Sequence, residues 1–173
     1  MSYGIIKRMI GEIDVESEVG KGTTLTISLP ISLEAKEEVT SFPSPEVQKR
    51  RGARILVIDD EESVRSVLSR ILTRVKYQVN VAESGEEGIR LFREKEYDMV
   101  LTDLGMPGMS GWDVCREVKK IRPRIPVGLI TGWGNEVGEE KMKEVDLDFL
   151  ISKPFDFNQI LSTVAKTMES KGT

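Results

Sequence analysis

The sequence predicts an α/β fold in which five parallel strands form one doubly wound sheet with helices on both faces. Three observations carry this. Short apolar runs recur five times between residues 55 and 151. A stretch with helical spacing of apolar residues follows each run. The runs are continuously apolar, as strands covered on both faces must be. Strand–helix alternation of this kind requires parallel pairing with crossover helices.

The elements follow in chain order. Tyr3, Ile5, Ile6, Met9 and Ile10 suggest a short apolar helix. Glu12-Ile13-Asp14-Val15-Glu16 and Thr24-Leu25-Thr26-Ile27-Ser28-Leu29 alternate as half-buried strands do, with Gly20-Lys21-Gly22 as the turn between them. Residues 1–30 are thus a helix plus a β-hairpin, too small to bury much surface and expected to lean on something else. Residues 31–52 carry two prolines, mixed charge and no sustained period, which makes them a linker with at most a helical turn over residues 33–39.

The strands of the larger domain are Ile55-Leu56-Val57-Ile58, Val79-Asn80-Val81-Ala82, Met99-Val100-Leu101-Thr102, Val127-Gly128-Leu129-Ile130 and Phe149-Leu150-Ile151. In the first helix Val64, Val67, Leu68, Ile71 and Leu72 share one face. Ile89 and Phe92 mark the second, and Val114, Cys115, Val118 and Ile121 the third. The fourth, residues 136–145, has a thin apolar stripe and an internal glycine, and is expected to be the mobile element. Phe157, Ile160, Leu161, Val164, Ala165 and Met168 form the fifth.

Composition narrows the function. With 39% hydrophobic and 31% charged residues the chain is of ordinary globular type. No apolar run is long enough to span a bilayer, and the first residues do not resemble a secretion signal. A net charge of −4 offers no footprint for nucleic acid. One cysteine excludes an internal disulfide and fits a reducing, cytoplasmic setting. The absence of any histidine excludes histidine acid–base catalysis, histidine metal sites and a phosphohistidine on this chain.

In an open parallel sheet, ligands bind beyond the carboxyl ends of the strands. There the first strand runs into Asp59-Asp60-Glu61-Glu62, the third into Asp103, the fourth into Thr131 and the fifth into Ser152-Lys153-Pro154. Each has an ordinary explanation taken singly: a helix N-cap for the aspartate pair, a turn for Asp103, loop chemistry for Thr131 and Lys153. Their convergence on one sheet edge points to chemistry. Crowded carboxylates need a compensating cation, and Mg²⁺ suits two carboxylates, waters and a phosphate. Lys153 offers a compact positive charge to a phosphoryl oxygen and Thr131 a hydrogen bond. An aspartate so placed can act as the nucleophile of phosphoryl transfer.

Residues 54–63 (RILVIDDEES), 100–114 (VLTDLGMPGMSGWDV), 128–133 (GLITGW) and 148–155 (DFLISKPF) resemble the flavodoxin-like receiver domain of two-component response regulators. The resemblance covers residues 53–171. It implies that Asp103 is the phosphoacceptor and that Asp59, Asp60, Asp103 and the Gly105 carbonyl hold Mg²⁺. It further implies that Thr131 is the switch hydroxyl and that Lys153, before a cis Pro154, contacts the phosphate. The family has Tyr or Phe three residues before the lysine. Here that position is Leu150, and Phe149 should face the opposite side of the strand. Gly105 leaves the site open to water, and Trp133 is a candidate cover. Exposed Ser63 and Arg65 are candidates for donor recognition by analogy.

Residues 3–30 resemble the carboxyl-terminal helix and hairpin of the histidine-kinase ATP-binding domain. The combination is that of a hybrid sensor kinase tail, without the residues that bind ATP or carry the phosphohistidine. The expected activity is acceptance of a phosphoryl group from a histidine kinase or histidine phosphotransfer protein. No output domain follows Thr173, so DNA binding is not expected. An alternative is a degenerate receiver that binds partners without phosphorylation. A dehalogenase-type phosphatase needs an acid at position 105, which is glycine. Cys115 and Trp112 have the spacing of core residues, and Lys49-Arg50-Arg51 reads as solvated.

Overall fold

The computed structural model describes residues 12–18, 20–28, 52–132 and 139–170. The chain divides into two compact units, Met1–Phe42 and Pro43–Thr173. In the first, β1 (Glu12–Glu18) and β2 (Gly22–Ser28) pair antiparallel, with Val15 opposite Leu25. Both strands extend to the turn, where Lys21 N–H donates to the Glu18 carbonyl at 3.0 Å. Val15, Leu25 and Ile27 are half-exposed, in keeping with a hairpin too small to cover its own apolar face. The expected helix of residues 3–10, the linker and its helical turn, Trp133 and the start of the fourth helix lie outside the described residues.

The second unit contains β3 (Arg54–Ile58), α1 (Glu62–Arg74), β4 (Gln78–Ala82), α2 (Gly85–Glu94) and β5 (Met99–Asp103). It continues with α3 (Gly111–Ile121), β6 (Val127–Thr131), α4 (Glu139–Glu144), β7 (Phe149–Ser152) and α5 (Phe157–Ser170). The five strands are parallel in the order β4-β3-β5-β6-β7. The chain winds outward from β3 in one direction to β4 and in the other to β5, β6 and β7. This reversal opens a crevice beyond the carboxyl ends of β3 and β5. Register sets the depth of that crevice. Ile58 lies beside Thr102 and Thr131 beside Ser152, so the residues that follow these strands emerge at nearly one level.

Two apolar layers flank the sheet. Leu68 and Leu72 of α1 and Ile160, Leu161 and Val164 of α5 pack with Ile55 and Val57 on one side. Phe92 of α2 and Val114, Cys115 and Val118 of α3 pack with Leu56 and Ile58 on the other. The Ser110 hydroxyl accepts from Asp113 N–H, and Asp113 returns a bond to Ser110 N–H, a reciprocal cap that starts α3 just after the loop beyond β5.

Two expectations change. The second predicted strand is β4, at a sheet edge, so Val81 is exposed rather than covered on both faces. Val67 and Ile121 belong to apolar stripes, yet both face outward, because each stripe is wider than the sheet surface its helix rests on. Among the described residues the fourth helix is α4 (Glu139–Glu144), and Met142 within it and Val145 just after it pack in the layer of α2 and α3.

Tyr97 carries an unusual burden. Its ring is buried and stacks on Phe92 at 6.1 Å between centroids, and its hydroxyl has no hydrogen-bond partner among the described residues. Burial pushes the phenol pKa upward. An unsatisfied buried hydroxyl costs about 1–3 kcal/mol, so Tyr97→Phe is expected to raise unfolding free energy by about 1 kcal/mol in urea titrations. A loss of stability would mean that the hydroxyl is bonded.

Candidate functional site

Each strand of the crevice delivers one polar residue as its apolar run ends. Asp59 follows β3 and is 1% exposed, while Asp60 beside it is open to solvent. Asp103 closes β5 at 8% exposure, and Thr131 closes β6 almost fully buried. Lys153 follows β7, its backbone N–H donating to the Thr131 carbonyl at 2.7 Å, and the Lys153–Pro154 peptide is cis. Asp60, Glu61, Asp103, Leu104, Gly105, Thr131, Gly132 and Lys153 line one open cleft. All six predicted site residues therefore meet at this edge, Asp59 forming its buried flank.

Lys153 is the electrostatic keystone. Its ammonium lies 2.7 Å from Asp103 Oδ1 and 3.1 Å from Asp59 Oδ2. Burial works against its charge, but hydrogen bonds to Asp103 and Asp59 outweigh that and hold its pKa above the usual lysine value. Asp59 shows the opposite balance. Burial raises its carboxyl pKa, and the Glu61 N–H donated to Oδ1 at 2.9 Å and the Lys153 ammonium only partly offset the effect. Four carboxylates (Asp59, Asp60, Glu61 and Asp103) against one lysine leave the cleft with a formal negative excess, which a divalent cation would largely offset. Among the described residues no three His, Cys, Asp or Glu side chains close into a metal cage. Mg²⁺ does not require one, since it keeps several waters and binds through one or two carboxylates plus phosphate. The oxygen-only donor set fits it.

The loop after Asp103 is held at three points. Gly105 N–H donates to Asp103 Oδ2 at 2.6 Å and Gly111 N–H to the Leu104 carbonyl at 3.1 Å. Glu86 Oε1 of α2 accepts Met109 N–H at 3.1 Å. Gly111 packs directly on the Asp103 backbone, where a Cβ would collide with the carbonyl oxygen. These contacts set the carboxylate of Asp103 toward the cleft and bring the Gly105 backbone alongside it.

Phe149 faces the layer of α1 and α5, and Leu150 packs in the layer of α2 and α3. The ring lies against Gly128, its partner across the β6–β7 ladder, and a Cβ at Gly128 would overlap it. The aromatic side chain thus lies on the far face of the sheet from Leu150, as strand alternation requires. Cys115 is fully buried, donates to the Val145 carbonyl at 3.3 Å and has its thiol pKa pushed up to about 11 by burial. Trp112 is also buried, with the Lys141 ammonium 5.0 Å from its ring.

Sequence reasoning misplaced Arg65 and missed Glu86. Arg65 is not a free surface residue: it reaches back to the carbonyls of Asp59 and Asp60, at 2.7 and 2.8 Å. Its place in the first helical turn, where side chains lean toward the N-terminus, was the available signal. Glu86 is one of several acidic residues opening α2 and had none.

Residues 55–165 match the response regulator receiver domain family. The chain belongs to that family. The chain is 34% identical to the sensor kinase CckA of Brucella abortus, over 99% of this chain and 19% of that protein. It is 36% identical to the transcriptional regulatory protein ResD of Bacillus subtilis, over 64% of this chain and 46% of that one. Among solved structures, the response regulator TrrA of Thermotoga maritima, in complex with Mg²⁺-BeF, is similar at 32% identity. The match has a TM-score of 0.62 and covers 66% of this chain and 98% of that one. The chain thus spans about a fifth of the length of CckA and about half that of ResD. No helix among the described residues is long and apolar enough to cross a membrane.

Proposed function

We propose that residues 53–171 accept a phosphoryl group on Asp103 from a phosphohistidine of a histidine kinase or histidine phosphotransfer protein. The observation that carries this reading is the Asp103 carboxylate, set at the sheet edge with the Lys153 ammonium 2.7 Å from one oxygen and the Gly105 N–H 2.6 Å from the other. An Asp103 oxygen attacks phosphorus and the phosphorus–nitrogen bond of the donor breaks. The electron pair leaves with the imidazole, which takes up a proton, and Asp103 becomes an acyl phosphate. Lys153 turns from its carboxylate partners to the incoming phosphoryl oxygens, and Thr131 donates to another. Asp59, Asp60, Asp103 and the Gly105 carbonyl would hold Mg²⁺. When bound, that ion supplies neutralisation of charge on the phosphoryl and carboxylate oxygens.

The N-terminal segment belongs to the same proposal. Residues 1–30 are the end of a histidine-kinase ATP-binding domain, residues 31–52 a linker, and the whole part of a cytoplasmic hybrid kinase. Two observations support it: the alignment with the sensor kinase CckA runs through this segment, and Val15, Leu25 and Ile27 of the β1–β2 hairpin are half-exposed. The test is incubation of the chain with acetyl phosphate and Mg²⁺, followed by intact mass. A gain of one phosphoryl group, abolished by chelator, is expected. No gain with the fold intact would sink the reading. Transfer from a purified phosphohistidine donor then identifies the partner class.

A further inference from the structure

Resting on the reading of the acidic cleft as a Mg²⁺ site, we propose that Arg65 is the positioning residue that holds the carboxylates of that site in place. One guanidinium nitrogen donates to the Asp59 carbonyl at 2.7 Å and to the Asp60 carbonyl at 2.8 Å. Both bonds are charge-assisted, and the side chain is partly shielded from water, so they are among the stronger contacts in the turn. Elsewhere the turn is held by the Asp59 N–H on the Ala82 carbonyl at 3.2 Å and the Glu61 N–H on Asp59 Oδ1 at 2.9 Å, whereas the Asp60 side chain projects into solvent.

The location of the cation is itself informative. Arg65 lies in the first turn of α1, at the end of the helix where the backbone dipole is positive and a cation is disfavoured. A residue placed there for helix stability would be acidic, as Glu62 is. The guanidinium is offset by the two carbonyls it grips, and those carbonyls belong to the two aspartates at the end of β3. With the backbone of both residues fixed from beneath, Asp59 Oδ1 stays on the Glu61 N–H and Oδ2 faces the cleft. Groups that orient metal-binding carboxylates in this way typically contribute tenfold or more to metal affinity.

The sign of the effect separates positioning from simple charge. Arg65 is a positive charge close to a cation site, so Coulomb repulsion alone predicts that its removal tightens Mg²⁺ binding. Positioning predicts the reverse. Calorimetric titration of MgCl₂ into the full chain is expected to show a Kd raised roughly tenfold or more in Arg65→Met and largely restored in Arg65→Lys. With acetyl phosphate as donor, the Mg²⁺ concentration for half-maximal rate should rise in parallel, while the rate at saturating Mg²⁺ changes little. An unchanged or lower Kd in Arg65→Met overturns the inference while leaving the Mg²⁺ site standing. Failure of the wild-type chain to bind Mg²⁺ overturns the site and the inference together.

A measurement on the unaltered chain removes any dependence on variant folding. Guanidinium protons gripped by two carbonyls rotate slowly, so resolved Arg65 Nη signals that shift on Mg²⁺ addition are expected in nitrogen-edited NMR spectra. Averaged signals that ignore Mg²⁺ overturn the inference.

Discussion

Asp103→Asn is expected to remain unphosphorylated by acetyl phosphate and Mg²⁺ under conditions where the wild-type chain gains one phosphoryl group. An amide is a poor nucleophile, and no other carboxylate at the cleft combines the Lys153 and Gly105 contacts that orient Asp103. The rate loss should be roughly a thousandfold or more, as for removal of other nucleophiles. A stoichiometric gain of mass in this variant would move the acceptor elsewhere. The substitution has a second consequence through Lys153. The Lys153 pKa is raised in the fold, burial opposing its charge and hydrogen bonds to Asp103 and Asp59 more than compensating. A raised lysine pKa contributes stability that is complete below the unfolded value, about 10.4, and lost as pH climbs through the folded one. With Asp103 neutral, that contribution shrinks. Denaturant titrations should show the variant losing its alkaline stability at lower pH than wild type, with the fold unchanged near neutrality.

Asp59→Asn is expected to lower Mg²⁺ affinity roughly tenfold or more while making the protein more stable. Asn keeps an acceptor for the Glu61 N–H but removes a charge that burial disfavours. Asp59 is nearly inaccessible, and burial is the largest influence on its pKa, exceeding the help from Glu61 and Lys153. Because the folded pKa lies above the unfolded value, the charged form weakens the fold near neutrality. That penalty is relieved as pH falls through the folded pKa. The gain in the variant should therefore be about 0.5–2 kcal/mol near pH 7 and vanish on acidification toward about pH 4. Urea titrations at the two pH values check this. Equal or lower stability at neutral pH would show that Lys153 and Glu61 offset the burial of the charge. The two variants would separate the proposed roles of nucleophile and ligand: one is expected to abolish chemistry, the other to trade affinity for stability.

Much of this protein is legible in its sequence because its strands are short, apolar and buried. Once the strand–helix alternation is recognised, parallel pairing follows, and Asp59, Asp103, Thr131 and Lys153 fall at strand ends by simple counting. The position of Phe149 opposite Leu150 also follows from the two-residue period of a strand.

Other features depended on neighbours distant in the chain. Val81 and Val67 look like core in any local window. Their exposure is set by β4 being an edge strand and by how much of the sheet α1 can cover. The unpartnered Tyr97 hydroxyl, the packing of Phe149 on Gly128 and the Glu86 brace on the loop after Asp103 arise from segments brought together only by folding. Arg65 lies between the two classes: the carbonyls it reaches are only five and six residues earlier, and its place in the first helical turn was the signal for them. Periodicity and strand ends are properties of neighbouring residues, and the sequence by itself determined the sheet and which residues stand at its edge. Which polar group meets which depends on the packing of whole helices against that sheet, and only the tertiary structure decided it.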